Sequence, residues 1–144
     1  MPLHPAETFT NEPFSQRVEK PWGYELLFTP PHLAYAGKLL HVHRGRRLSL
    51  QYHDEKSETI MLLKGRAQLQ ADGVDGKLET IDMQIGKGYS NVPGQRHRLV
   101  AIEDSDFVEA STPERGTTFR IEDDAGRGHE TQEMRTRDNR GWGG

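Results

Sequence analysis

From Tyr24 to Ile121, apolar residues fall at alternate positions in short runs that Gly, Pro, Asn and Asp interrupt. That period puts successive side chains on opposite faces of a half-buried strand. It predicts strands at Tyr24–Phe28, Lys38–Arg44, Leu48–His53, Glu58–Lys64, Ala67–Ala71, Lys77–Met83, Ser90–Val92, Arg96–Ile102, Phe107–Thr112 and Thr117–Ile121. Turn signals at Gly45, Gly65, Asp72-Gly73, Asp75-Gly76, Gly86, Gly88 and Pro93-Gly94 separate them. No longer stretch keeps a helical period, so the expected class is all-β, a sandwich or barrel. The polar residues 1–17, with Pro2, Pro5 and Pro13, read as an arm. Residues 18–127 read as the barrel, and the charged, Gly-rich 128–144 as a tail that is disordered unless it docks on another subunit.

A chain of 144 residues suits one domain, and with 33% hydrophobic residues its core must be economical. The absence of Cys removes disulfides, thiolate ligands and a Cys nucleophile, leaving His, Glu, Asp, Lys and Arg to carry chemistry. A formal net charge of −3 argues against general nucleic-acid binding. No apolar run approaches the ~18 residues of a membrane span and the N-terminus lacks an apolar leader, so no membrane role and a cytoplasmic location are expected.

Alternation places Gln51 and His53 on one face of their strand. After the polar turn Asp54-Glu55-Lys56-Ser57, Glu58 shares a face with Ile60 and Leu62. If those two enter the core, the carboxylate enters with them and requires a cation or several donors. The turn Val92-Pro93-Gly94-Gln95-Arg96 delivers His97, which shares its face with Leu99 and Ala101. Gln51, His53, Glu58 and His97 would together form a nitrogen and oxygen site for a divalent metal, Zn foremost, with Mn, Fe, Co or Ni as alternatives.

These segments resemble the two motifs of the cupins. The first runs Gly45, Gln51, His53, Glu58, Gly65, with Gln in place of the first His; the second runs from Gly86 through Pro93 and Gly94 to His97. A narrower resemblance, over roughly residues 19–127, is to the type II phosphomannose isomerase domain. Lys20-Pro21-Trp22-Gly23-Tyr24, Leu48-Ser49-Leu50-Gln51-Tyr52-His53, His97-Arg98-Leu99 and Arg120-Ile121-Glu122-Asp123-Asp124-Ala125-Gly126-Arg127 carry it. It implies a cupin-type jelly-roll barrel, a metal on Gln51, His53, Glu58 and His97, and a sugar or sugar phosphate interconverted between aldose and ketose. Thr59-Ile60 stand where the family commonly has His-Trp.

Among the remaining polar residues, Arg120, Arg127, Arg98 and Lys38 are the expected substrate-binding cations, and His41 and Lys20, with Glu25, the candidates for proton transfer. Arg120 and Arg127 have an alternative in pairing with Glu122, Asp123 or Asp124. An iron-dependent dioxygenase and a non-catalytic carbohydrate-binding protein stay open as other functions. The arm, through Phe9 and Phe14, is expected to cover a neighbouring sheet in a homodimer.

Overall fold

The structure is a computed structural model and describes residues 3–137. Eleven strands among the described residues build two antiparallel sheets. One sheet contains β1 (Gln16–Lys20), β2 (Gly23–Leu27), β3 (Ala36–Val42), β10 (Ser105–Ser111), β5 (Glu58–Lys64) and β8 (Gly88–Asn91), in that spatial order. The other contains β11 (Thr118–Glu122), β4 (Leu50–His53), β9 (His97–Ala101), β6 (Ala67–Asp72) and β7 (Leu78–Asp82). The chain crosses from one sheet to the other repeatedly, closing an all-β barrel, as the alternation predicts, in the jelly-roll form that the resemblance implies.

Between the sheets lie Trp22, Leu40, Val42, Ile60, Leu62, Leu69, Leu99 and Phe107, all buried. The parity expected for β5 and β9 holds: Glu58, Ile60 and Leu62 are buried together, as are His97, Leu99 and Ala101. Gly23 follows the tight turn out of β1, and a Cβ there would stand 1.9 Å from the carbonyl oxygen of His41. Only glycine lets β2 approach β3 so closely, and this approach sets the positions of Trp22 and Glu25.

Two boundaries differ from the sequence reading. β1 overlaps the end of the expected arm, because Gln16-Arg17-Val18-Glu19-Lys20 has one apolar residue yet pairs with β2 along its length through backbone bonds. Residues 3–15 are exposed and carry a single 3₁₀ turn at Ala6–Thr8. Residues 128–137 belong to the segment read as a tail. Glu130 exchanges backbone bonds of 2.8 and 2.9 Å with Thr118, and the short helix α1 (Gln132–Arg137) follows. Arg135 of that helix is buried on the chain's own barrel, bonded through its guanidinium to the carbonyl of Gly116. The rest of the expected tail, 138–144, lies outside the described residues, as do residues 1–2 of the arm. No described helix is long and apolar enough to cross a membrane.

Candidate functional site

His53 ends β4, Glu58 begins β5 and His97 begins β9, so three strand ends meet at one rim of the barrel. A loop bond from the Gly94 amide to the His53 carbonyl, 2.8 Å, ties the turn before His97 to β4. The Nε2 atoms of His53 and His97 lie 2.9 and 3.1 Å from the same oxygen, Oε1 of Glu58. All three side chains are buried, and their ligand atoms lie within 4.8 Å of one another. Nδ1 of His97 sits 2.9 Å from the carbonyl of Gln95, which can only accept, so this nitrogen carries a proton and Nε2 is the atom that a metal would take in place of the proton shared with Glu58. Nδ1 of His53 is 2.9 Å from the Thr118 hydroxyl, which can donate or accept and so holds the orientation of the ring without setting its tautomer.

This donor set suits a divalent metal. Two imidazoles oriented by outer partners and one enclosed carboxylate are the pattern of such a site. Burial pushes the carboxyl of Glu58 up, but Lys56 and the two imidazoles outweigh it and hold the group well below the usual carboxylate range. Burial lowers His53, favouring the neutral ring that a metal requires; for His97, burial is outweighed by the bond and charge of Glu58, which raise it.

A cavity of about 50 Å³ is bounded by Lys20, Glu25, Lys38, Gln51, Lys56 and Glu109 among others; none of the three ligands lines it, and it meets them through Thr118, which contacts His53, and Gln51, in register with His97. Past Lys20, Arg120, Arg127 and Glu130 it adjoins an outer groove of about 380 Å³. Inside, charges alternate. Lys38 Nζ is 3.3 Å from Glu25 and 3.0 Å from Glu114, and Lys56 Nζ is 2.9 Å from Glu109 and 3.7 Å from Glu114. Lys20 is 3.8 Å from Glu25. Desolvation lowers the Lys20 ammonium below the ordinary lysine value, more than the carboxylates of Glu25 and Glu130 restore it. Burial likewise raises Glu109, whereas Glu25 and Glu114 are held low, against burial, by Lys38 and its neighbouring cations.

The sequence-predicted residues divide accordingly. Lys20, Lys38, Gln51, Arg120 and Arg127 line the cavity. The Arg127 side chain also forks onto Asp123 at 3.0 and 2.9 Å, and Arg120 donates to the Gly128 carbonyl at 2.9 Å and faces Glu130 at 3.9 Å. His41 does not line it. Lys38, Leu40 and Val42 take the interior face of β3, so His41 projects outward, against Tyr24 and 2.5 Å from Asp106. Nor does Arg98, which alternates with inward His97 and Leu99 and instead bonds the Leu48 carbonyl and Glu122 on the other face. Gln51 stands beside His97 in register, but its Oε1 accepts a 2.7 Å bond from the Ser49 hydroxyl.

Lys56, Glu109, Glu114, Thr118 and Glu130 escaped the sequence reading. For Glu109 the signal was present, since it alternates with Phe107 along β10. Lys56 and Glu114 lie in loops, where no periodicity announces an inward turn.

No protein-family model and no curated protein matches the chain. Solved structures do. Oxalate decarboxylase from Bacillus subtilis superposes with a TM-score of 0.61 at 20% identity, over 73% of this chain and 30% of that one. A formate complex of Lactobacillus farciminis oxalate decarboxylase gives 0.62 at 20% identity, over 73% and 33%. KdgF from Halomonas sp. gives 0.59 at 18% identity, over 71% of this chain and 89% of that one. The chain thus spans about a third of the oxalate decarboxylases and most of the length of KdgF. Likeness at this identity speaks to architecture, and the architecture is the cupin jelly roll.

Proposed function

We propose that this protein is a metal-dependent cupin enzyme that binds an anionic sugar, foremost a sugar phosphate, and interconverts its aldose and ketose forms, as in mannose-6-phosphate isomerisation. The observation that carries the reading is the position of Lys20 in the wall of the charged cavity, 3.8 Å from Glu25, where burial disfavours its ammonium. A divalent ion held by those three would supply Lewis-acid polarisation of the substrate's carbonyl and hydroxyl oxygens. Isomerisation also needs a group that moves a proton between neighbouring carbons. Lys20 in its neutral form suits that task, taking the proton from one carbon and returning it to the next, with the Glu25 carboxylate at 3.8 Å to stabilise the ammonium formed in between. Arg127, a quarter exposed where the cavity meets the outer groove, and Arg120 beside it would hold the phosphate.

Metal-reconstituted protein offered mannose 6-phosphate in deuterated water is expected to form fructose 6-phosphate and to exchange the hydrogen at C2. The rate should rise with pH through an inflection below 10.5, because the active form of Lys20 is deprotonated. Lys20→Met should abolish exchange with metal content intact, and Arg127→Ala should raise KM roughly ten- to hundredfold. Equal binding of phosphorylated and plain sugars by the wild type would end the phosphate assignment.

Carbohydrate binding without turnover is a second reading, favoured by one observation. Each of Lys20, Lys38, Lys56, Arg120 and Arg127 already faces a carboxylate. Saturable binding of neutral sugars with no exchange at C2 is the result it expects.

A further inference from the structure

Asn91, the last residue of β8, is 1% exposed, yet neither its Nδ2 nor its Oδ1 has a hydrogen-bond partner among the described residues. Its register places it directly opposite Glu58 on β5. Residues paired in this way share a face, so the Asn91 side chain stands in the same interior row as the carboxylate of the metal centre. An enclosed amide with both ends unsatisfied is costly, and an aliphatic side chain would fill the position without that cost. The position is therefore one where a bound group is required to complete the amide's bonding. Gln51, the amide that the motif spacing suggests as a ligand, has its Oε1 engaged by Ser49.

We propose that Asn91, rather than Gln51, is the amide of the metal centre, with Oδ1 as a fourth protein donor beside His53, Glu58 and His97. The inference rests on the metal-binding reading of those three residues. A neutral amide oxygen is compatible with a mixed nitrogen and oxygen site and leaves the single negative charge of the donor set unchanged. Nδ2 of the same side chain is then a hydrogen-bond donor for a water or substrate oxygen at the centre. In sequence terms, the turn 92–96 joins two ligands, Asn91 at its start and His97 at its end, so one short segment would deliver both.

The test is metal affinity, measured with Zn²⁺ and Mn²⁺ by competition against a chromophoric chelator, together with the melting temperature of the metal-free protein. Asn91→Leu is expected to weaken binding ten- to hundredfold while the metal-free protein melts at the wild-type temperature or higher. Asn91→Ala, which adds no bulk, carries the same affinity expectation should the leucine variant fail to fold. Asn91→Asp, which keeps an oxygen donor, should bind within a few-fold of wild type or more tightly, and Gln51→Leu should stay within a few-fold. Wild-type affinity in Asn91→Leu or Asn91→Ala overturns the assignment, as does a loss in Gln51→Leu equal to that in the Asn91 variants. Failure of the underlying reading looks different: the wild type binds neither ion, or His97→Ala binds as well as wild type.

Discussion

The two ends of the barrel interior differ in kind although the same strands line both. From the rim inward, β3 presents Lys38, then Leu40 and Val42; β5 presents Glu58, then Ile60 and Leu62; β9 presents His97, then Leu99 and Ala101. On β10, which runs the other way, Glu109 lies at the rim end and Phe107 below it. The apolar end stabilises the fold by removing surface from water, whereas the rim end holds charges that are favourable only while their partners stay in place. A strand can therefore serve stability and chemistry at once, by switching residue type along one face without changing its parity.

That contrast can be broken from either side. At the apolar end Phe107 is fully buried, and Phe107→Ala should cost about 3–5 kcal/mol in urea unfolding, while the molecules that remain folded keep their metal stoichiometry. At the rim, Lys38→Met leaves Glu25 and Glu114 without the cation they share and should cost about 3 kcal/mol. Adding Glu114→Gln to that variant should restore much of the loss, since the remaining Glu25 still has Lys20. A neutral Lys38→Met single variant would show that the rim charges are less dependent on one another than their distances imply.

A smaller effect separates the carboxylates by pH. Glu25 and Glu114 have folded values below the ordinary 4.5, so the stability they contribute is complete above that value and is lost as pH falls through the depressed ones. Glu109, pushed up by burial, acts with the opposite sign: its contribution is present below 4.5 and is lost as pH rises through its folded value. Melting of the metal-free protein should therefore fall off below about pH 4.5, and Glu114→Gln should flatten that acid limb. An unchanged limb in the variant would remove Glu114 from the account.

Period-two alternation made most of the barrel legible, because strands buried on one face advertise it. It also brought His53, Glu58 and His97 together, since each shares its face with residues whose burial is certain or with a neighbour at ligand spacing. Arg98 was decidable on the same ground, being the odd position between His97 and Leu99. His41 was not. Leu39-Leu40-His41-Val42 offers apolar residues to both faces of β3, so parity there is fixed by the pairing with β2 and β10 rather than by pattern. β1 was hidden because backbone pairing, not apolar content, holds it at the sheet edge. The docking of Glu130 and Arg135 depends on partners at Thr118 and Gly116, contacts that local composition does not encode.

Trp22 is buried at 5% exposure in the wall of the inner cavity, near Lys20 and Glu25. The chain has only two tryptophans, the other being Trp142. With Trp142→Phe, all indole emission would originate beside the cavity, and displacement of water or movement of a neighbouring ammonium would change its wavelength and yield. The protein would then report its own occupancy optically, in real time and without a labelled ligand, for metals, sugars and sugar phosphates alike.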